Sequence, residues 1–326
     1  MNYRHLGKYG IMVSEIGLGS WLTYGGATEN ETATLCIEKA YDLGINFYDT
    51  ANVYARGLSE EVVGKALRSY PRSSYVLATK VFFPMGDGPN DRGLSRKHLF
   101  EQCHESLKRL GVDYIDLYQC HRYDSETPLE ETLTALDDLA RQGKILYAGV
   151  SEWNAAQIGH AVDLVRDRGF HPIVSNQPYY NMLGRGIESE VLPLCEREGI
   201  GQVVFSPLAQ GVLTGKYKPG SPLPEGSRAA DPAQNMFMNG GKLDEQMLTN
   251  VQKLLPIADE AGLTMSQLAL AWCLRQKNVS SVIVGASKPA QIEVNALASG
   301  KLLDGDILAA IDTALDAQNS ARARAW

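Results

Sequence analysis

Four residues of this chain carry side chains suited to moving a proton at a carbonyl group: Asp49, Tyr54, Lys80 and His121. Asp49 closes the short apolar run Ile45-Asn46-Phe47-Tyr48, and Tyr54 follows it in the next loop. Lys80 ends the segment Tyr75-Val76-Leu77-Ala78-Thr79-Lys80, and His121 ends Tyr114-Ile115-Asp116-Leu117-Tyr118-Gln119-Cys120-His121. Each alone has an ordinary explanation: a capping acid, a half-buried tyrosine, a surface lysine, a satisfied histidine. A lysine closing an apolar strand is costly to bury unless an acid pairs with it, and Asp49 is the candidate partner. A tyrosine hydroxyl, with a pKa of about 10, is a poor acid at neutral pH. A nearby ammonium favours the phenolate, so Lys80 is expected to make Tyr54 a better proton donor. Asp49 would keep Lys80 charged, and His121 would orient a carbonyl oxygen. The group suits proton delivery to an alkoxide as it forms, which is the chemistry of carbonyl reduction. The sequence displays no metal-ligand cluster and no nucleophilic Ser or Cys with a base nearby.

These residues can meet only if the chain brings successive strand ends together. Helical patterns with three- and four-residue apolar steps alternate with short apolar runs along the chain. Leu6 to Val13 reads as a hairpin around Lys8-Tyr9-Gly10, a structural plug. Strand ends then fall near residues 20, 49, 80, 121, 151, 177, 206 and 285, with a helical stretch after most of them. The expected helices run from Asn30 to Leu43, Leu58 to Leu67, Ser95 to Leu110, Pro128 to Gln142, Asn154 to Asp167 and Ile187 to Glu198. Further ones span Leu243 to Ala261, Thr264 to Gln276, Pro289 to Ala298 and Asp304 to Asn319. From Ala209 to Gly241 the rhythm breaks into a stretch rich in Gly, Pro, Ser and Asn, and loops that long are usually functional lids or inserts. Eight strand–helix units imply a (β/α)8 TIM barrel, with an N-terminal β-hairpin plug and a C-terminal helix, in one α/β domain covering residues 1–326. The competing doubly wound sheet should carry G-x-G-x-x-G after its first strand, and Gly17-Leu18-Gly19-Ser20-Trp21-Leu22 lacks the third glycine.

Composition limits the function classes. A net charge of −7 and a pI near 5.5 argue against a nucleic-acid partner. No run approaches the roughly 18 apolar residues of a membrane span. The start Met1-Asn2-Tyr3-Arg4-His5-Leu6-Gly7 lacks the apolar segment of a signal peptide. The five cysteines, Cys36, Cys103, Cys120, Cys195 and Cys273, are scattered without a C-x-x-C pair. Reduced thiols in a cytoplasm are expected rather than zinc or a disulfide framework.

Several motifs together carry a family resemblance. They are Gly17-Leu18-Gly19-Ser20-Trp21, Asp49-Thr50-Ala51 with Tyr54, and Arg92-Gly93-Leu94-Ser95-Arg96-Lys97-His98. Ser206-Pro207-Leu208-Ala209, Leu213-Thr214-Gly215-Lys216-Tyr217, Ala271-Trp272-Cys273-Leu274-Arg275 and Gly285-Ala286-Ser287 complete the set. The chain resembles the aldo-keto reductases, and within them the branch of the voltage-gated potassium channel beta subunits and their bacterial relatives. The resemblance implies a (β/α)8 barrel, NADPH as hydride donor, and Asp49, Tyr54, Lys80 and His121 as the catalytic tetrad with Tyr54 as the acid.

It also implies a cofactor site. Gly19, Ser20 and Trp21 lie at its edge; Ser151, Asn176 and Gln177 match the residues that hold the carboxamide. Phe205 matches the stacking aromatic, more often Tyr or Trp. Ser206, Pro207, Leu208, Gly211 and Lys216 match the loop over the pyrophosphate. Arg228, Gly285, Ser287, Lys288 and Gln291 match or neighbour the 2′-phosphate region, and Asn295 the adenine. Glu152, where relatives often place Asn or Arg, and Val294, where the channel subunits place Glu, depart from the pattern.

Three functions are consistent with this resemblance. One is an NADPH-dependent reductase of aldehydes or ketones. The second is a cofactor-binding accessory or sensor subunit of a membrane protein, and the third a sugar or cyclitol dehydrogenase running toward oxidation. His121 favours an enzyme, because the channel subunits typically have Asn there. Trp21, Tyr24, Phe82 and Tyr123 suggest an aromatic-lined mouth for a small carbonyl substrate. The resemblance leaves a homo-oligomer, including a tetramer, open.

Overall fold

A computed structural model describes residues 1–22, 24–26, 30–232, 234, 235, 238 and 243–315. Eight parallel strands close into a barrel: β3 (Ile16–Gly19), β4 (Phe47–Asp49), β5 (Val76–Val81), β6 (Ile115–Cys120), β7 (Ile145–Ser151), β8 (Ile173–Gln177), β9 (Gly201–Phe205) and β10 (Val279–Val284). They pair in chain order, and β10 returns beside β3. The hairpin of β1 (Tyr3–His5) and β2 (Met12–Ser14) lies outside this sheet. It caps the end where the strands begin: Lys8 N–H donates to the Gly199 carbonyl at 3.0 Å, and Ser280 Oγ donates to the His5 carbonyl at 2.9 Å. Gly7 makes this approach possible, since a Cβ there would lie 2.2 Å from the Gly199 oxygen. Arg4 pins the hairpin by pairing with Glu15 at 2.7 Å and donating to the Val279 carbonyl at 2.9 Å.

The helices form the outer layer: α1 (Asn30–Asp42), α2 (Leu58–Leu67), α3 (Arg96–Leu110), α4 (Leu129–Arg141), α5 (Ala155–Arg168), α6 (Val191–Glu198), α7 (Glu245–Gln252), α8 (Leu254–Glu260), α9 (Met265–Leu274), α10 (Pro289–Ala296) and α11 (Gly305–Leu315). Their ends follow local chemistry. Ser95 accepts from the His98 N–H at the start of α3, and Gly111 closes that helix with φ +67°, a conformation that costs glycine little. Asn154 and Gln157 form a reciprocal capping box on α5.

Two helices depart from the sequence expectation for one reason. The helix expected from Ile187 begins at Val191, and the one expected to run from Leu243 to Ala261 divides between α7 and α8. In each case a proline, Pro193 or Pro256, occupies the third position of the observed helix. Proline has no N–H and its ring strikes the preceding turn, so it is tolerated only where the helix is just starting. The C-terminal helix expected to reach Asn319 is described as far as Leu315; residues 316–319 lie outside the described residues. Within the long segment from Ala209 to Gly241 the described part contains short helical turns at Ala209–Thr214 and Arg228–Ala230, while residues 233, 236, 237 and 239–241 lie outside the description.

The barrel has two cores. Phe47, Val76, Ala78, Leu117, Val203 and Ile283 fill its interior together with Leu6 and Val13 from the hairpin, and a larger cluster fills the space between sheet and helices. Strand residues alternate between the two. A Cβ on Gly149 would meet Ser175 Oγ, Gln119 Cγ and Leu117 Cδ1, which places these four positions on the inner face. The alternation puts Asp49, Lys80, His121, Ser151 and Gln177 on that same face, at the end where the strands finish.

Candidate active site

Lys80 is the best-buried member of the group, with no exposed surface, and three oxygens surround its ammonium. It donates to Asp49 Oδ1 at 2.5 Å, to the Thr50 carbonyl at 2.8 Å and to the Tyr54 hydroxyl at 3.3 Å. Burial alone would lower the Lys80 pKa, but the Asp49 carboxylate and the Tyr54 oxygen outweigh it and the net direction is upward. The other oxygen of Asp49 accepts from Gln177 Nε2 at 2.8 Å and from Gln119 Nε2 at 3.3 Å. A buried charge pair is tolerable when its remaining lone pairs are hydrogen-bonded, and here they are.

Tyr54 is held at the mouth by a strained turn. Ala55, Arg56 and Gly57 follow it with φ of 47°, 53° and 96°, three consecutive left-handed residues of which two are not glycine. Such strain costs on the order of 1–3 kcal/mol per residue and gathers at functional sites. Because the hydroxyl accepts from Lys80, its own proton remains to be donated outward. Burial raises the Tyr54 pKa, and although Lys80 opposes this, the net direction in the free protein is up. Lys80 acts in the expected direction, lowering the Tyr54 pKa, but desolvation of the phenolate is the larger effect. Lys80 partly offsets that penalty.

His121 completes the group. Its N–H pairs with the Val81 carbonyl at 2.9 Å, and its ring meets Tyr54 edge-on at 5.7 Å between centroids. Burial first, then Lys80 and Arg122, drive its pKa well below the ordinary imidazole value, so it is neutral at physiological pH. Its Nδ1 is buried without a partner, which leaves Nε2 to meet a substrate oxygen.

Around this group lie most of the residues expected to hold a cofactor. Ser151 is buried beside Gln177, donating to that residue's backbone carbonyl at 2.8 Å. Ser20 donates to Thr50 Oγ1 at 2.8 Å, which ties Gly19, Ser20 and the half-buried Trp21 to the end of β4. Phe205 ends β9 with its ring against Tyr179 at 5.7 Å. Directly after it, Ser206, Ala209, Gln210 and Gly211 have φ of 56°, 47°, 61° and 95°, a second left-handed run at the mouth. Pro207 and Leu208 lie within that loop. A Cβ on Gly211 would stand 3.3 Å from Lys216 Nζ, so the bare glycine leaves a cradle for that ammonium. Lys216 lies over the Tyr217 ring and pairs with no carboxylate among the described residues. At the start of α10, Gln291 Oε1 accepts from the Ser287 backbone N–H at 2.9 Å, beside the exposed Lys288 and Gly285, with Asn295 buried one turn on.

Two placements differ from the sequence reading, those of Asn176 and Tyr24. Asn176 does not reach the mouth: it neighbours the inward-facing Gln177 on the strand, so it points out toward the helices, where it donates to Gln202 Oε1 at 3.3 Å. Arg228 joins the loop after β9, donating to Gln210 Oε1. Its guanidinium is desolvated, which lowers its pKa. Tyr24 is buried in the outer core and does not line the mouth. The departure at Glu152 is accommodated by a left-handed φ of 58°, and its carboxylate accepts from the Tyr179 N–H at 2.5 Å; Val294 is exposed on α10.

Gln119, Phe83 and Arg122 belong to the site and were not singled out in the sequence. Gln119 could have been found, since it shares the inner face of β6 with His121 two residues on. Phe83 packs edge-on to the His121 ring at 4.9 Å.

Comparison with known proteins gives the family. A model of the aldo/keto reductase family matches residues 15–316. The chain belongs to the aldo/keto reductase family. An Arabidopsis thaliana protein named "Probable voltage-gated potassium channel subunit beta" is 46% identical over 304 residues, 90% of each chain. One with the same name from Oryza sativa subsp. japonica is 44% identical over 298 residues, again 90% of each chain. As an aldo/keto reductase family member the chain is an oxidoreductase by kinship, and its closed barrel with a hairpin across the lower end accords with that. Two further stretches singled out in the sequence are architectural. Trp272 of α9 lies between the guanidinium groups of Arg275 and Arg185, at 3.5 and 4.5 Å from its ring centre, and Leu94 N–H donates to Asp124 Oδ2 at 2.7 Å, joining the loops after β5 and β6. No described helix is long and apolar enough to cross a membrane.

Proposed function

We propose that this protein reduces aldehydes or ketones to alcohols with NADPH as hydride donor and Tyr54 as proton donor. The observation that carries this reading is the buried chain from Asp49 through Lys80 to the Tyr54 hydroxyl, which accepts from Lys80 and keeps a proton to give, beside a neutral His121. When bound, NADPH supplies the hydride. Gln177 spends its amide N–H on Asp49 and keeps its carbonyl oxygen, and Ser151 keeps its lone pairs, so both can hold a carboxamide. Phe205 offers an aromatic face, and the left-handed loop with Gly211 and Lys216 offers a cradle and a cation for pyrophosphate. Arg228, a desolvated cation with no carboxylate partner among the described residues, would gain from a phosphate. Ser287, Lys288, Gln291 and Asn295 would serve the adenosine end. The substrate's carbonyl oxygen would sit between Tyr54 and His121, the second orienting it while the first protonates it.

A second reading has support in the relatives' names: an accessory subunit of a potassium channel that binds cofactor without needing fast turnover. His121→Asn separates the two. Asparagine can still donate one hydrogen bond, but it presents a different donor at a different reach. For a working reductase, turnover of the best aldehyde is expected to drop at least tenfold, about 1.4 kcal/mol of transition-state stabilisation. NADPH affinity, followed by quenching of protein fluorescence, should stay within a few-fold. An unchanged rate would remove the argument from His121 for an enzyme over a subunit. Oxidation of a sugar or cyclitol would use the same groups in reverse, with Tyr54 accepting the proton.

A further inference from the structure

Arg122 directly follows His121 at the end of β6 and is half-buried. Its Nη1 donates to the His121 carbonyl at 2.6 Å, and its guanidinium carbon lies 5.5 Å from the centre of the Phe83 ring. That ring also packs against the His121 imidazole, so guanidinium and imidazole share one aromatic wall of the mouth. A guanidinium carries five N–H donors, and Arg122 forms no ion pair with any described carboxylate. The nearby acids Glu152 and Asp124 hold donors of their own rather than the guanidinium, although the Arg122 charge is felt at Glu152. Glu152 accepts the Tyr179 N–H, and Asp124 accepts from Leu94 N–H at 2.7 Å, Glu126 N–H at 2.9 Å and Thr127 Oγ1 at 2.8 Å. The Arg122 charge nevertheless reaches the reacting groups, acting on both Tyr54 and His121.

A half-buried guanidinium with unfilled donors and no direct ion pair among the described residues gains from an anion that reaches it. Its planar fork matches carboxylate and phosphate oxygens two at a time. We propose that Arg122 selects substrates that carry a carboxylate or phosphate group a few bonds from the carbonyl, the anion lying along Phe83 while Tyr54 and His121 hold the carbonyl oxygen. This rests on the reductase reading above, because it names the substrate class of the same mouth. A role confined to bracing the His121 carbonyl would use only one of the five donors and would give no preference for anions.

The test compares matched pairs in steady-state reduction with NADPH: succinic semialdehyde against butyraldehyde for a carboxylate, and glyceraldehyde phosphate against glyceraldehyde for a phosphate. The unmodified protein should favour the anion of at least one pair at least tenfold in kcat/KM, and which pair does so distinguishes the two anions. In Arg122→Gln that ratio should fall at least tenfold, with the loss in KM for the anionic member, and Arg122→Lys should restore part of it. No preference for either anion, or a ratio unmoved by Arg122→Gln, would overturn the proposal. If no carbonyl compound consumes NADPH, the reductase reading has failed, and Arg122 is judged by binding alone. Calorimetry with hydroxybutyrate and butanol should then give at least tenfold tighter binding of the anion to the unmodified protein and none of that difference in Arg122→Gln. Equal binding of the two would overturn it.

Discussion

Tyr54→Phe is expected to lower NADPH-dependent reduction by a factor on the order of 10²–10⁴, the range general acids contribute. The ring stays, so the edge-on contact with His121 and the strained turn that follows should persist. What disappears is the hydroxyl that takes a hydrogen bond from Lys80 while keeping its own proton for the substrate. Cofactor affinity should change little, since that proton faces the carbonyl. The alkaline limb of the pH profile carries the same signature. Burial raises the Tyr54 pKa in spite of Lys80, so loss of the acid form in the free protein should begin above the ordinary phenol value of about 10. Steady-state rates of the two proteins across pH check both points. A Tyr54→Phe enzyme retaining half its rate would assign the proton to another group.

The second large effect concerns stability. Lys80→Met leaves the Asp49 carboxylate buried without its cation, and breaking a buried pair from one side typically costs about 3–5 kcal/mol. Gln119 and Gln177 still hold one oxygen, which softens the loss without supplying charge. Chemical denaturation should place the variant in that range. Adding Asp49→Asn to Lys80→Met should recover much of the stability, because no unpaired charge remains, while reduction stays lost. The pH dependence follows from the sign of the shift. The Lys80 pKa is raised, so the pair's contribution is full below the unfolded value of about 10.4 and fades as pH climbs through the higher folded value. A Lys80→Met protein within about 1 kcal/mol of the original would mean that Asp49 sits protonated or reaches water.

The architecture was legible because barrel strands advertise themselves. Most end an apolar run at or beside a polar residue, and the helices expected to begin at Ser95 and Asn154 are capped by those residues. Asp49, Lys80 and His121 could be grouped for the same reason, as inward positions at successive strand ends. Legibility failed where facing or desolvation decides. Asn176 and Gln177 are adjacent amides, and only the alternation fixed by Gln177 reaching Asp49 reveals that Asn176 points outward. The Tyr54 pKa depends on a balance between burial and a neighbouring charge that spacing cannot weigh. Phe83 and Arg122 act through neighbours brought close by the barrel, and nothing in their immediate sequence separates them from ordinary core and surface residues, whereas the alternation along β6 would have found Gln119.

The central claim is that hydride passes to a carbonyl carbon in the mouth beside Tyr54, and isotope transfer tests it most directly. The protein would be given NADPH carrying deuterium at the reactive position of the nicotinamide, together with its best aldehyde, and the alcohol analysed by mass spectrometry and NMR. Deuterium on the former carbonyl carbon, one atom per NADPH consumed and lost with Tyr54→Phe, is the result expected. NADPH consumption that leaves the alcohol carbon free of deuterium, or no alcohol from any member of a broad panel of aldehydes and ketones, would contradict it.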